Sequence, residues 1–106
     1  MAEHAVIVHL ALAGGEAGSP DERARLVKLQ DEVSAAVDAA GVGLFDGDEW
    51  GGGECVLYLY GADADRLFDA VRPVIAKLPP RSGSFAIKRR GDAGDPNAKE
   101  ERVALS

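Results

Sequence analysis

The sequence predicts an α+β fold, a ferredoxin-like β-α-β-β-α-β antiparallel sheet with two helices on one face and an extra C-terminal strand. Three observations predict it. Short runs rich in β-branched and aromatic residues recur at 5–12, 55–60 and 84–89. Two amphipathic stretches with helix-start signals lie between them. Between those stretches, two strand-like runs follow one another across a glycine-rich connection, the mark of a hairpin inside a split β-α-β unit.

Ala5 to Leu12 (AVIVHLAL), bounded by Gly14-Gly15, reads as a central strand buried on both faces. Ser19-Pro20-Asp21-Glu22 announces a helix, with serine at the N-cap, proline at the first helical position and glutamate placed for a capping box. Leu26, Leu29, Val33, Val37 and Ala40 form its apolar stripe, Arg25, Lys28, Asp31 and Glu32 its wet side, and Gly41 its left-handed C-cap. Val42 to Phe45 is a brief second strand, and Cys55 to Tyr60 (CVLYLY) a third, with Cys55, Leu57 and Leu59 on one face and Val56, Tyr58 and Tyr60 on the other. Asp63 caps a second helix whose stripe is Leu67, Phe68, Val71, Val74, Ile75 and Leu78. Pro73 inside it removes the bond to the Asp69 carbonyl and predicts a kink or a weakened last turn, and Pro79-Pro80 stops the helix. Ser84 to Arg89 (SFAIKR) alternates as a half-exposed strand does. Glu101 to Leu105 pairs with it across the loop 91–98.

With 106 residues and 46% apolar content, the chain suits a single domain over residues 1–106. No apolar run approaches the length of a membrane span, and MAEHAVIVHLALAGG lacks the basic start of a signal peptide, so a cytoplasmic protein is expected, with no membrane partner. A net charge of −6 argues against nucleic acid as a partner, since a phosphate backbone needs a basic face. The charge is polarised along the chain: residues 1–70 carry 14 acids and 4 bases, and residues 71–106 carry 4 acids and 8 bases. Such polarity steers partners of complementary potential.

One stretch stands out. Asp46 to Glu54 (DGDEWGGGE) holds four acids, four glycines and the only tryptophan. As an EF-hand loop starting at Asp46 it fails at two ligands, with Trp50 in the fifth position and Leu57 in the twelfth. A looser cation site would need Asp46, Asp48, Glu49 and Glu54 together. Gly51-Gly52-Gly53 leads into a strand and no Lys-Ser or Lys-Thr follows, so it is no phosphate cradle. A hairpin connection with solvated carboxylates is the plain structural account. As a recognition loop, Trp50 would be the anchor and the acids would meet a basic partner.

GDEWGGGE followed by LYGADADRLFDAVRPVI resembles small bacterial families of uncharacterised proteins with a G-[DN]-E-x-G-x-G-E turn and a Y-G-x-D-A-D-x-L segment. The resemblance covers about residues 47–75. It implies a bacterial cytosolic protein with a ferredoxin-like sheet and brings no activity or site residues with it.

Other chemistry is sparse. Cys55, the only cysteine, lies in a strand and is expected to be a buried, inert thiol. His4 and His9 project from opposite faces by parity and cannot share a metal. Arg90-Gly91-Asp92 matches an adhesion tripeptide by letters only. Lys88, Arg89 and Arg90 are split between two faces by strand alternation. The first functional expectation is a non-enzymatic, acidic protein-binding module, in concrete form an immunity or antitoxin-like inhibitor of a basic toxin enzyme, with Asp46, Asp48, Glu49, Trp50 and Glu54 as contact residues. The alternative is a ligand-sensing or dimerisation domain that packs through the open sheet face with Tyr58, Tyr60, Val6 and Val8 or their opposite-parity neighbours. The third is a small enzyme pairing His9 with Cys55 or using the acidic loop. No metal and no cofactor are expected.

Overall fold

The computed structural model describes residues 3–13 and 15–105. Gly14, half of the expected boundary after the first strand, lies outside the described residues, as do both ends of the expected 1–106 domain. The elements run β1 (His4–Ala11), α1 (Pro20–Ala40), β2 (Leu44–Gly51), β3 (Glu54–Gly61), α2 (Ala64–Ile75), β4 (Phe85–Arg90) and β5 (Lys99–Ala104). They form an α+β structure with a five-stranded sheet ordered β2-β3-β1-β4-β5. Each neighbouring pair is antiparallel. No helix among the described residues is long and apolar enough to cross a membrane.

Helix α1 starts where the sequence says it should. Ser19 is extended, its hydroxyl accepts from the Glu22 backbone N–H at 3.2 Å, and Pro20 follows. The Glu22 carboxylate accepts from the Ala13 backbone N–H at 2.9 Å, tying the exit of β1 to the first turn of α1. Gly41 closes the helix at φ 64°, the left-handed cap. Of the expected stripe, Leu26, Leu29, Val33 and Val37 are buried, whereas Ala40 is exposed because the helix ends there, beyond the sheet side of its last turn. Helix α2 is capped by the Asp63 carboxylate, which accepts from the N–H groups of Asp65 and Arg66. It ends at Ile75, two residues after Pro73, and the chain goes on through turns in which the Lys77 N–H donates to the Val74 carbonyl and that of Leu78 to the Ile75 carbonyl, so Pro79-Pro80, expected to stop the helix, lies beyond its end.

Both helices cover the same face of the sheet. Val6, Val8 and Leu10 of β1 and Cys55, Leu57 and Leu59 of β3 pack in one core with Leu26, Leu29, Val33 and Val37 of α1 and Leu67, Phe68, Val71 and Ile75 of α2. At about 1.5–3 kcal/mol for each large apolar side chain taken from water, this layer dominates the stability of the fold. The opposite face has no layer over it. The expectation that β1 is buried on both faces is therefore corrected: Ile7 and His9 are only partly buried, since both helices went to the other side.

The second strand also differs from expectation. It runs from Leu44 to Gly51, through most of the acidic glycine stretch. A register shift between Phe45 and Gly47 absorbs Asp46 as a bulge, and pairing with β3 then resumes to Gly51 opposite Glu54. Gly52 and Gly53, at φ 62° and 82°, make the two-residue turn that such a hairpin needs. β4 and β5 pair as expected, each displaced toward its N- or C-terminal neighbours by one or two residues, with Ala86 opposite Val103.

On the helix side of β4, Lys88 and Arg90 both reach Asp65 in the first turn of α2, at 2.9 and 2.7 Å, and Arg90 also reaches Glu101 of β5 at 2.8 Å. Asp65 thus joins α2, β4 and β5. Its carboxyl group is held down to about 2, against an ordinary 3.8, first by the hydrogen bond from Arg90 and then by that from Lys88. Toward the β2–β3 edge, backbone approaches backbone. A Cβ on Gly61 would stand 2.2 Å from the Val42 carbonyl oxygen, and one on Gly43 2.1 Å from that of Tyr60.

Gly61→Ala is expected to cost about 2–3 kcal/mol in a urea melt, because the obstacle is backbone and cannot rotate away. Gly94→Ala, which meets nothing within 4 Å, is expected to stay within about 0.5 kcal/mol. Equal effects would refute the close crossing. For Asp65, the folded chain holds the proton less tightly than the unfolded chain. Its stabilising contribution is complete above 3.8 and is lost as pH falls through about 2. Asp65→Asn is expected to flatten the rise of stability with pH in that window, and an unchanged acid limb would show that the ion cluster contributes nothing.

Candidate functional site

Strand pleating sends alternate residues of DGDEWGGGE to opposite faces, so the five expected contact residues do not form one surface. Asp48 and Trp50 pair with Leu57 and Cys55 and face the helices. Trp50 is half-buried against the core. Its indole N–H donates to Asp48 Oδ2 at 2.9 Å, and the same oxygen accepts from Gln30 of α1 at 2.8 Å. The Arg23 guanidinium lies 5.4 Å from the Trp50 ring centre. Trp50 plugs the gap between α1 and the β2–β3 hairpin, a structural task that explains the aromatic residue and its neighbouring acid. Glu49 and Glu54 face the other way, and Asp46 lines an open hollow of about 460 Å³ with Glu3, Leu44, Tyr60, Arg89 and Asp92. The four carboxylates cannot converge on one cation, and among the described residues no three His, Cys, Asp or Glu side chains do.

The thiol–imidazole pair is excluded by the same parity. Cys55 points into the core and is fully buried, and burial first, with the Asp48 charge second, pushes its thiol up to about 12. His9 sits on the uncovered face. His4 is occupied elsewhere, with its Nδ1 accepting from the Ala64 backbone N–H at 3.1 Å at the start of α2.

What the sheet does bring together is its uncovered face. The register sets it out in three ranks. The first reads Leu44, Tyr60, Ala5, Arg89 and Glu100 across β2, β3, β1, β4 and β5. The second reads Gly47, Tyr58, Ile7, Ile87 and Arg102, and the third Glu49, Val56, His9, Phe85 and Ala104. The middle strands supply an apolar and aromatic centre, and the outer strands supply the charges.

These side chains are ordered by one another. The Tyr58 hydroxyl donates to the Glu49 carboxylate, and that hydrogen bond is the first cause that raises the phenol to about 12. His9 Nδ1 lies 3.1 Å from Glu54 Oε1, and the His9 ring stacks on Phe85 with centroids 4.4 Å apart and planes 11° apart. The Arg102 guanidinium rests 3.6 Å from the Phe85 ring centre. Glu49 and Glu54 therefore stand on the β2–β3 side, and Arg89 and Arg102, with Glu100 beside them, on the β4–β5 side. Compared with known proteins, the chain matches no family model, no curated protein and no solved structure.

Of this face the sequence gives Tyr58 and Tyr60 as neighbours. Val6 and Val8, named as their companions, lie on the covered face. The companions are Ala5, Ile7 and His9, the opposite-parity set. Phe85, Ile87 and Arg102 were missed as site residues, although the alternation in SFAIKR carries the signal for the first two.

Trp50→Ala is expected to destabilise the fold by about 1–2 kcal/mol, less than a fully buried tryptophan would cost, because its side chain is only partly buried. A melt unchanged by that substitution would return Trp50 to the role of an exposed anchor.

Proposed function

We propose that the chain is a non-enzymatic protein-binding module that works through its uncovered sheet face. One observation carries this reading: on a sheet face with no helix over it, the partly exposed side chains of Ile7, Tyr58, Phe85 and Ile87 surround the buried Val56 and are rimmed by charged residues. A patch of this make-up has the anatomy of an interface, apolar within and polar around. Tyrosines held by a neighbour, as Tyr58 is by Glu49, lose little side-chain freedom on binding. The separation of His9 from Cys55 removes the best nucleophilic pair and supports a binding role over an enzymatic one.

The proposed fold family is ferredoxin-like. Setting β5 aside leaves the order β2-β3-β1-β4, in which each helix carries the chain over a neighbouring strand. A bacterial, cytoplasmic setting belongs to the same proposal and rests on the resemblance at residues 47–75. The inhibitor form keeps one support: Glu49 and Glu54 place an acidic edge on the same face in a chain of net charge −6, which suits a basic toxin enzyme.

The test is affinity purification from the source cell with the wild-type chain and two variants as bait. A stoichiometric protein, whether a second copy or another chain, is expected with the wild type and with Trp50→Phe, and is expected to be lost with Tyr58→Lys at an unchanged circular dichroism spectrum. A wild-type chain that is recovered free, and stays monomeric at about 100 µM, would overturn the proposal.

A further inference from the structure

The geometry points to a second copy of this chain as the occupant of the uncovered face, related to the first by a two-fold axis running along β1. The inference rests on the reading of that face as a protein-binding surface. Three observations select this partner and this axis.

The first is charge. A two-fold axis along the strands turns the sheet over while keeping each rank in its place, so the β2 edge of one copy meets the β5 edge of the other. Glu49 then lies beside Arg102 of the second copy, one rank away, and the contact occurs twice. Tyr60 meets Arg89, an aromatic ring against a guanidinium. A two-fold axis across the strands through the Ile7 rank would instead stack Arg102 on Arg102. Arg102 therefore finds an opposite charge about the first axis and its own like about the second.

The second is shape and apolarity. About the same axis Tyr58 faces Ile87 and Ile7 meets Ile7, so the partly exposed middle rank is apolar against apolar, while at the rim Leu44 meets Glu100. Aligned packing of two sheets, crossing at about 30° from their twist, keeps these neighbours in reach. Strand spacing gives the face roughly 24 Å by 20 Å, about 1,000 Å² for the two copies together, the size of a weak, concentration-dependent dimer rather than a permanent one.

The third is that the edges discourage other routes to self-association. The free edge of β2 is broken by the bulge between Phe45 and Gly47, and β5 presents Lys99, Glu100, Glu101 and Arg102 in sequence. Bulges and charges of this kind blunt strand-to-strand addition. The face is left.

Sedimentation velocity between about 1 and 200 µM tests the inference. The wild type is expected to form a dimer that weakens as salt is raised, since rim pairs are screened. Glu49→Arg and Arg102→Glu are each expected to weaken the dimer on the order of a hundredfold, because each places two like-charge contacts in the interface. Mixing the two variants is expected to restore a dimer of wild-type strength, since the mixed pair regains both attractive contacts. A dimer that neither reversal weakens, or that the mixture fails to restore, would overturn this arrangement. So would a wild-type monomer. If that monomer still captures another protein through Tyr58 in the purification above, the binding face stands and only the second copy falls. If it captures nothing, both readings fall.

Discussion

Burial of Val6, Val8 and Leu10 against the two helices fixes the parity of β1, and β1 is hydrogen-bonded to a strand on each side. Through β3 and β4 that choice sets the facing of every other residue in the sheet. A slip of one residue would expose three large aliphatic side chains and bury Ile7 and His9 in their place, so the register is held by several kcal/mol of apolar burial. The assignment of Cys55 to the core, of His9 to the uncovered face and of Tyr58 and Tyr60 to their common surface all descend from it. Asp65 performs the complementary task at the periphery, joining α2 to the last two strands by charge where little apolar surface remains to be buried.

The acidic glycine stretch shows how a cluster in the sequence can dissolve in the fold. Nine residues rich in carboxylates look like one chemical unit when written in a line. A pleated strand has a period of two, so it separates neighbours and unites alternate residues. Glycine permits the bulge and the tight turn that let β2 continue through the stretch, and the side chains are then shared out. Trp50 and Asp48 lock the hairpin to α1, while Glu49 and Glu54 join a surface built mostly by other strands.

The charge imbalance between the two parts of the chain takes on a spatial form by the same route. The sheet order places β2 and β3 on one side of β1 and β4 and β5 on the other. A polarity along the sequence thereby becomes a partial polarity across the sheet, with Glu49 and Glu54 on one flank and Arg89 and Arg102, offset by Glu100, on the other. In the proposed interface, the apolar centre between them would supply the driving force for association. The flanking charges would supply orientation, the usual division of labour at an interface.

The sequence by itself determined both helices with their N-caps, the C-cap of α1, the stripe of α1 through Val37, the alternation of β3, the split of Lys88 from Arg89, and the inert character of Cys55, but not the end of α2 at Ile75. These depend on spacing within one element and on the conformational preferences of serine, proline and glycine, which are local properties. The tertiary structure decided the extent of β2, the side on which both helices lie, the companions of Tyr58 and the place of Trp50. Each of those depends on pairing or packing between residues far apart in the chain. The periodicity of a strand states that two faces exist, and only the register with its neighbours and the layer above it state which face is covered.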